Sequence, residues 1–101
     1  MPAPEALLIA LRRQLTDALQ PAELQIRDDS AAHTGHAGAR SGAHVSVRLV
    51  CDRFAGLRLL ERHRLVYTAV ADLLHSGIHA LAIEALTPDE VGRTISRNTM
   101  S

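Results

Sequence analysis

Histidine and cysteine are the residues of this sequence best suited to chemistry, because both bind metals and move protons. The 101-residue chain has six histidines and a single cysteine, Cys51. No CxxC or HExxH motif occurs, and His33 and His36, three apart, lie in a glycine-rich segment, so the spacing does not form a self-contained metal site. One cysteine also excludes an internal disulfide and a metal site made of cysteines alone.

Other catalytic patterns are absent from the sequence. Cys51 ends a stretch that reads as a half-buried strand, and no neighbouring residue marks the thiol as reactive, which favours inert packing. There is no pair of carboxylates and no phosphate-binding loop, so we expect that the protein is not an enzyme. Eleven basic residues, all arginine, balance eleven acidic residues. A neutral domain lacks the overall field that attracts nucleic acids.

The hydrophobic pattern predicts three helices and three strands in one domain, residues 1–101. Leucines at helical spacing predict a first helix over Pro4–Gln20, and a strongly amphipathic stripe predicts a second over about Leu57–His75. His63 lies on that stripe, which favours a packed, hydrogen-bonded structural histidine. Gly77 is a candidate C-terminal cap. Alternating residues predict strands over 23–27, 45–50 and 78–86.

Two further segments complete the prediction. Residues 30–43 show no periodicity and are expected to form a long loop, a type of segment that often carries function. Thr87, Pro88 and Glu90 predict the N-cap, first position and capping box of a last helix. Residues 97–101 are expected to be a frayed tail. The order α-β-β-α-β-α predicts an α+β fold with a three-stranded sheet covered by helices.

Five motifs of this chain resemble those of the BolA family, in the same order along the sequence. They are D-D-S-A-A-H at 28–33, V-C-D-R-F-A-G at 50–56, E-R-H-R-L-V-Y at 61–67, H-A-L at 79–81 and T-P-D-E at 87–90. The similarity covers about residues 7–92. The chain departs from the family pattern at Cys51, which replaces a serine, at Asp29, which replaces a glutamate, at Val45, which replaces a phenylalanine, and in the extra His36.

The resemblance implies a class II KH-like fold and a role as an adaptor. BolA-like proteins pair with monothiol glutaredoxins and share a [2Fe–2S] cluster with them, which implies His79 as one ligand and His33 as the second. His36 and His44 are rival ligands. A [2Fe–2S] cluster needs four ligands, of which two imidazoles supply only half. This chain has a single cysteine, so it cannot supply the other two as thiolates. The remaining sulfurs are therefore expected from a glutaredoxin cysteine and from glutathione supplied through that partner.

The family resemblance also implies an alternative function, a DNA-binding transcriptional regulator that uses the KH-like fold. Four arginines near the second helix are candidates for a nucleic-acid or partner surface: Arg53, Arg58, Arg62 and Arg64. Gly35-His36-Ala37-Gly38 matches the GxxG of KH domains, but it falls between strands rather than between helices. No signal peptide or membrane-length apolar run is visible, so we expect a cytoplasmic protein, a monomer or weak homodimer when free.

Overall fold

The computed structural model describes residues 3–30 and 43–92. Its elements, in chain order, are α1 (Glu5–Leu19), β1 (Glu23–Asp28), β2 (Ala43–Val50), α2 (Leu59–Ala69), α3 (Ala71–Ser76) and β3 (Ile78–Leu86). Residues 88–92 are helical again. The order confirms the predicted α+β fold, with one of the predicted helices divided into two.

The three strands form one mixed sheet in the order β1-β2-β3. β1 runs antiparallel to β2, whereas β2 and β3 are parallel, with α2 and α3 in the connection between them. Ala43 pairs with Ile78 and His44 with Ala80, so an irregularity in the register leaves His79 without a direct partner. Because β2 and β3 are parallel, their first residues lie at the same edge of the sheet.

The hydrophobic core lies between one face of the sheet and the helices. Alternate residues of β2 point into it, as a strand's two-residue period requires: Val45, Val47 and Leu49 are all buried. Every fourth residue of α1 faces them, namely Leu11, Leu15 and Leu19. The side chain of Phe54 is fully buried in the turn after β2, and Val66 is the fully buried residue of α2.

The prediction of one continuous helix over Leu57–His75 is wrong. The helix begins at Leu59 and breaks at Val70, whose φ of −120° and ψ of 22° separate α2 from α3. No proline or glycine marks the break in the sequence. Val70 and Leu73 are both buried, so packing against the sheet redirects the chain where local propensity alone favours one helix.

Gly77 is the C-cap of α3, as predicted, and its N–H donates to the Leu73 carbonyl at 2.9 Å, although its φ of −166° is extended rather than left-handed. Its lack of a side chain matters for a different reason. A Cβ atom there would lie 3.1 Å from Cδ1 and 3.3 Å from Cδ2 of Leu7, so the glycine lets α1 approach the start of β3 closely. The left-handed residue of α1 is Gln20, with φ of 49°, directly before Pro21.

The end of β3 and the predicted loop show where the remaining boundaries fall. The capping box is confirmed: Thr87 Oγ1 accepts the Glu90 N–H at 3.1 Å, and Glu90 Oε1 accepts the Thr87 N–H at 2.8 Å. Ala43, the last residue of the predicted loop, is a buried residue of β2. Residues 31–42 of that loop and the tail 97–101 lie outside the described residues.

Candidate metal-ligand pair

Two histidines meet at the edge of the sheet where β2 and β3 begin. The ring centroids of His44 and His79 are 5.2 Å apart, with the rings tilted by 55°. His44 is the second residue of β2, and His79 is the second residue of β3. Parallel pairing of these strands therefore brings together two imidazoles that are far apart in the sequence.

The two rings differ in their access to solvent. His79 is exposed. The irregular register accounts for this exposure, since Ile78 and Ala80 each pair with a residue of β2 whereas His79 does not. His44 is half-buried, and its Nε2 atom is shielded from solvent. A molecule that approaches from solvent thus meets the ring of His79 before the ring of His44.

Hydrogen bonds from the end of β1 fix the backbone of His44. Its N–H donates to Ser30 Oγ at 3.0 Å, and its carbonyl oxygen accepts the Asp29 N–H at 2.7 Å. Ser30 is buried, and its own N–H donates to Asp28 Oδ1 at 2.9 Å. The Asp-Asp-Ser segment at 28–30 therefore holds the end of β1 against the start of β2, the strand that carries His44.

The two aspartates of this segment are themselves engaged. Burial alone would raise the pKa of Asp28, but backbone N–H groups of Ser30 and Ala3 donate to the carboxylate, and its pKa lies below the ordinary value. Asp29 accepts Arg27 Nε at 2.7 Å and the Ser46 hydroxyl. Short polar side chains after a strand commonly bind nearby backbone in this way, which is the signal in the sequence for this network.

The spacing of the two rings is compatible with one metal ion between them. Metal–nitrogen bonds of about 2.1 Å at a near-tetrahedral angle place two imidazole centroids roughly 5 Å apart. Cys51 cannot join them, because the length of β2 at about 3.3 Å per residue separates it from His44. Cys51 is buried, and its thiol donates to the Leu19 carbonyl at 3.1 Å.

A complete metal site is not found in the described part of the chain. Within residues 3–30 and 43–92, no group of three or more His, Cys, Asp or Glu side chains is arranged to hold a metal ion. Within the described part of the chain, the pair therefore offers two candidate nitrogen donors. His33 and His36 lie outside the described residues, so their distance from His79 is not part of this geometry.

The remaining predicted histidine, His63, is half-buried on α2. Its ring forms no hydrogen bond with another described residue, and its structural role stays a prediction. Of the predicted arginine surface, Arg53, Arg58 and Arg64 are exposed.

The expectation that the Arg62 side chain points outward is wrong. Its side chain is 11% exposed and binds the carboxylate of Glu90 through two hydrogen bonds, of 2.6 and 3.1 Å. It also donates to the carbonyl oxygens of Leu57 and Ala85, both at 3.0 Å. A guanidinium offers five N–H donors in a rigid plane, so one arginine can join three segments, and Arg62 is unavailable for a phosphate.

The sheet order and the crossover connection define a small α+β domain with one mixed three-stranded sheet. Comparison with known sequences identifies it further: a family profile described as "BolA-like protein" matches residues 15–90. The chain belongs to the BolA-like family, as its motifs predicted.

The relatives span plants, mammals and bacteria. The chain is 45% identical over 87 residues to "SufE-like protein 1, chloroplastic/mitochondrial" of Arabidopsis thaliana, and 44% identical over 79 residues to human "BolA-like protein 1". The alignments cover 80% and 78% of this chain, and 24% and 56% of those proteins. It is also 41% identical over 80 residues to the Escherichia coli "DNA-binding transcriptional regulator BolA", covering 79% of this chain and 74% of that protein.

Solved structures of BolA domains share the fold. The BolA domain of Arabidopsis thaliana SufE1 superposes with a TM-score of 0.72 at 44% identity, over 81% of this chain and 92% of that one. Mus musculus BolA1 gives a TM-score of 0.75 at 38% identity, over 93% of this chain and 74% of that one. The chain thus spans a quarter to about half of several relatives' full length but nearly the whole of the isolated BolA domain. None of these relatives bears the name of an enzyme.

Proposed function

We propose that this protein is an adaptor that shares a [2Fe–2S] cluster with a monothiol glutaredoxin and glutathione, for iron–sulfur assembly, trafficking or iron-linked regulation. The observation that carries the proposal is the His44–His79 pair, two imidazoles 5.2 Å apart at an accessible edge of the sheet. A cluster with nitrogen donors on one iron and sulfur donors on the other needs this number of imidazoles. The family membership supports the same function.

The partner supplies what this chain lacks. The single thiol, Cys51, is buried and hydrogen-bonded far from the histidines, so the sulfur ligands come from a glutaredoxin cysteine and from glutathione. Exposed His79 is the first ligand in this proposal. The second imidazole comes from the segment joining β1 to β2: His44 is supported by its contact with His79, and His33 by the resemblance, with His36 as a third candidate.

The imidazoles bind metal only in their neutral form, because a protonated ring has no free lone pair. Acidification therefore weakens the nitrogen side of the shared site.

Spectroscopy of the mixed complex tests this function. The protein is added to a monothiol glutaredoxin loaded with cluster and glutathione, and visible absorption and circular dichroism are recorded. We expect a changed cluster spectrum with the unaltered chain and no change with His79→Ala. His33→Ala, His36→Ala and His44→Ala then identify the second ligand as the variant that loses the change.

The matched control is His75→Ala, since His75 is an exposed histidine in the last turn of α3 and lies on neither of the two paired strands. This variant should behave like the unaltered protein. An unchanged glutaredoxin spectrum on adding the unaltered chain would overturn the proposal.

A DNA-binding regulator is the second candidate, because the Escherichia coli relative is named as one. Arg53, Arg58 and Arg64 offer an exposed positive surface, whereas Arg62 is held by Glu90. The zero net charge argues for few phosphate contacts. The test is to measure the affinity for duplex DNA at several salt concentrations. An affinity that falls steeply as salt rises, with a shallower fall in an Arg53→Ala/Arg64→Ala variant, supports this function.

The cellular setting remains part of the proposal. Residues 3–30 and 43–92 contain no helix with the length and apolar character needed to cross a bilayer. We propose a cytoplasmic protein that is a monomer or weak homodimer when free, although two of its plant relatives carry the names of organelle forms.

A further inference from the structure

A groove between α1 and α2 is built from apolar and positively charged side chains. It encloses about 480 Å³, and its lining residues are Ala18, Leu19, Arg53, Glu61, Arg64, Leu65, Thr68 and Ala69. This volume lies within the range of clefts that bind ligands. The groove is on the helical side of the molecule and includes neither His44 nor His79.

One face of α2 supplies most of one wall. Glu61, Arg64, Leu65 and Thr68 recur at helical spacing, and Leu60 lies one turn before Arg64, beside this face. Leu60 is 62% exposed and Leu65 is 37% exposed. A helix of a small domain normally turns such leucines towards the core, so these two exposed side chains, Leu65 in the groove and Leu60 beside it, are available to another molecule.

The charges of the groove indicate which kind of molecule it can bind. Among the described residues, neither Arg53 nor Arg64 has an acidic side chain within 4.0 Å, whereas Arg62 and Arg48 are both paired. The one acid of the groove, Glu61, is engaged at the start of α2, where its Oε1 accepts the Arg58 N–H at 2.9 Å. Two unpaired cations beside exposed leucines complement carboxylates and an apolar side chain.

We infer that this groove binds an acidic amphipathic helix of a partner protein. Glutamate or aspartate side chains of that helix meet Arg53 and Arg64, and its leucine-type residues pack on Leu60 and Leu65. Helix-in-groove recognition uses this combination of apolar anchors and flanking charges. Nucleic acid is the poorer occupant, because the groove has an acid in its wall, no aromatic side chain for stacking, and only two cations.

Titration of the labelled full chain tests the inference. The probe is a synthetic helical peptide with leucines at i, i+3, i+4 and i+7 and glutamates beside them, and the readout is amide chemical shifts by NMR. We expect shifts that map to Leu60, Arg64, Leu65 and Ala18. Arg53→Glu/Arg64→Glu should weaken binding at least tenfold, because it places like charges against the peptide.

Two controls make the outcome decisive. The first is Arg13→Glu, which alters an exposed arginine of α1 outside the groove and should bind the peptide as well as the unaltered chain. The second is the same peptide with lysine in place of glutamate, which should not bind. Shifts outside the groove, equal losses in Arg13→Glu, or groove shifts produced by duplex DNA but not by the acidic peptide would each overturn the inference.

Discussion

Arg62 and Glu90 form a two-point ion pair that joins α2 to the helix following β3, with N–O distances of 2.6 and 3.1 Å. The same carboxylate accepts the Thr87 N–H and completes the capping box. The guanidinium also lies over the ring of buried Phe54, 6.0 Å from its centroid. One arginine therefore connects the crossover helix, the end of the sheet and the core.

This pair makes stability depend on pH in the acidic range. Hydrogen bonds from Arg62, followed by the Thr87 N–H, lower the pKa of Glu90 from 4.5 to about 2. A carboxyl whose folded pKa is depressed stabilises the fold above its unfolded pKa, and this contribution is lost as the pH falls from about 4.5 towards 2. Glu90→Gln should cost about 1–2 kcal/mol at pH 7 and less at pH 3, measured by urea unfolding.

The contrast with Arg48 tests whether burial gives the Arg62 pair its value. Arg48 bridges Glu23 and Glu84, at 3.2 Å each, but both acids are more than half exposed. We expect Arg48→Ala to change the free energy of unfolding by under about 1 kcal/mol and Arg62→Ala to cost about 2–3 kcal/mol. Equal costs for the two variants would contradict this reading of the ion pairs.

Loss of the Ser30 hydroxyl should destabilise the strand that carries His44. Ser30→Ala removes the acceptor of the His44 N–H in a buried place, which costs about 1–2 kcal/mol. Hydrogen exchange should show the His44 amide losing protection first. Ser76→Ala is the control, since that exposed hydroxyl only donates to the Asp72 carbonyl and its removal should change stability little.

A methyl group at position 77 should crowd the Leu7 side chain where α1 meets the start of β3. Gly77→Ala places Cβ 3.1 Å from a methyl of Leu7, which can shift by a few tenths of an ångström, so we expect a loss of about 1 kcal/mol. Gly92→Ala meets no atom within 4 Å and lies in a helix, and it should be neutral or slightly stabilising. Thermal unfolding of both variants provides the measurement.

The thiol of Cys51 should be unreactive in the folded protein. It is 1% exposed and donates to the Leu19 carbonyl, so a thiol reagent gains access only through unfolding. Labelling should be slow in buffer and complete in denaturant. Cys51→Ala should retain the glutaredoxin response while losing about 1 kcal/mol of stability. A lost spectral response in a folded Cys51→Ala protein would assign the thiol a role in the cluster.

The sequence predicted a helix or strand boundary best where several neighbouring residues indicate the same boundary. Thr87, Pro88 and Glu90 specify a helix start independently of one another, and the observed capping box follows. The break at Val70 carries no such signal, because it arises from how buried side chains of α2 and α3 meet the sheet. Two strands are longer than predicted: β1 extends one residue further, to Asp28, and β2 begins two residues earlier, at Ala43. In both places the pairing between strands continues beyond the alternating pattern of the sequence.

The candidate site was predicted in part. His79 was named from its motif, but its contact with His44 depends on which strand lies beside β3 and in which direction. Arg62 was read as a surface charge because helical spacing gives the direction of a side chain without showing what lies across from it. Position 62 faces Glu90 and the end of β3, and only the tertiary structure brings them together.

In the proposed function, the parallel arrangement of β2 and β3 also couples ligand binding to folding. His44 and His79 become neighbours only after α2 and α3 have packed as the connection between the two strands, so an unfolded chain has no preformed pair. A group that binds both rings therefore binds the native state alone. In the proposed function, such a group raises the free energy of unfolding by about 1.4 kcal/mol for each tenfold excess of its concentration over Kd, and so stabilises the crossover that brings the two rings together.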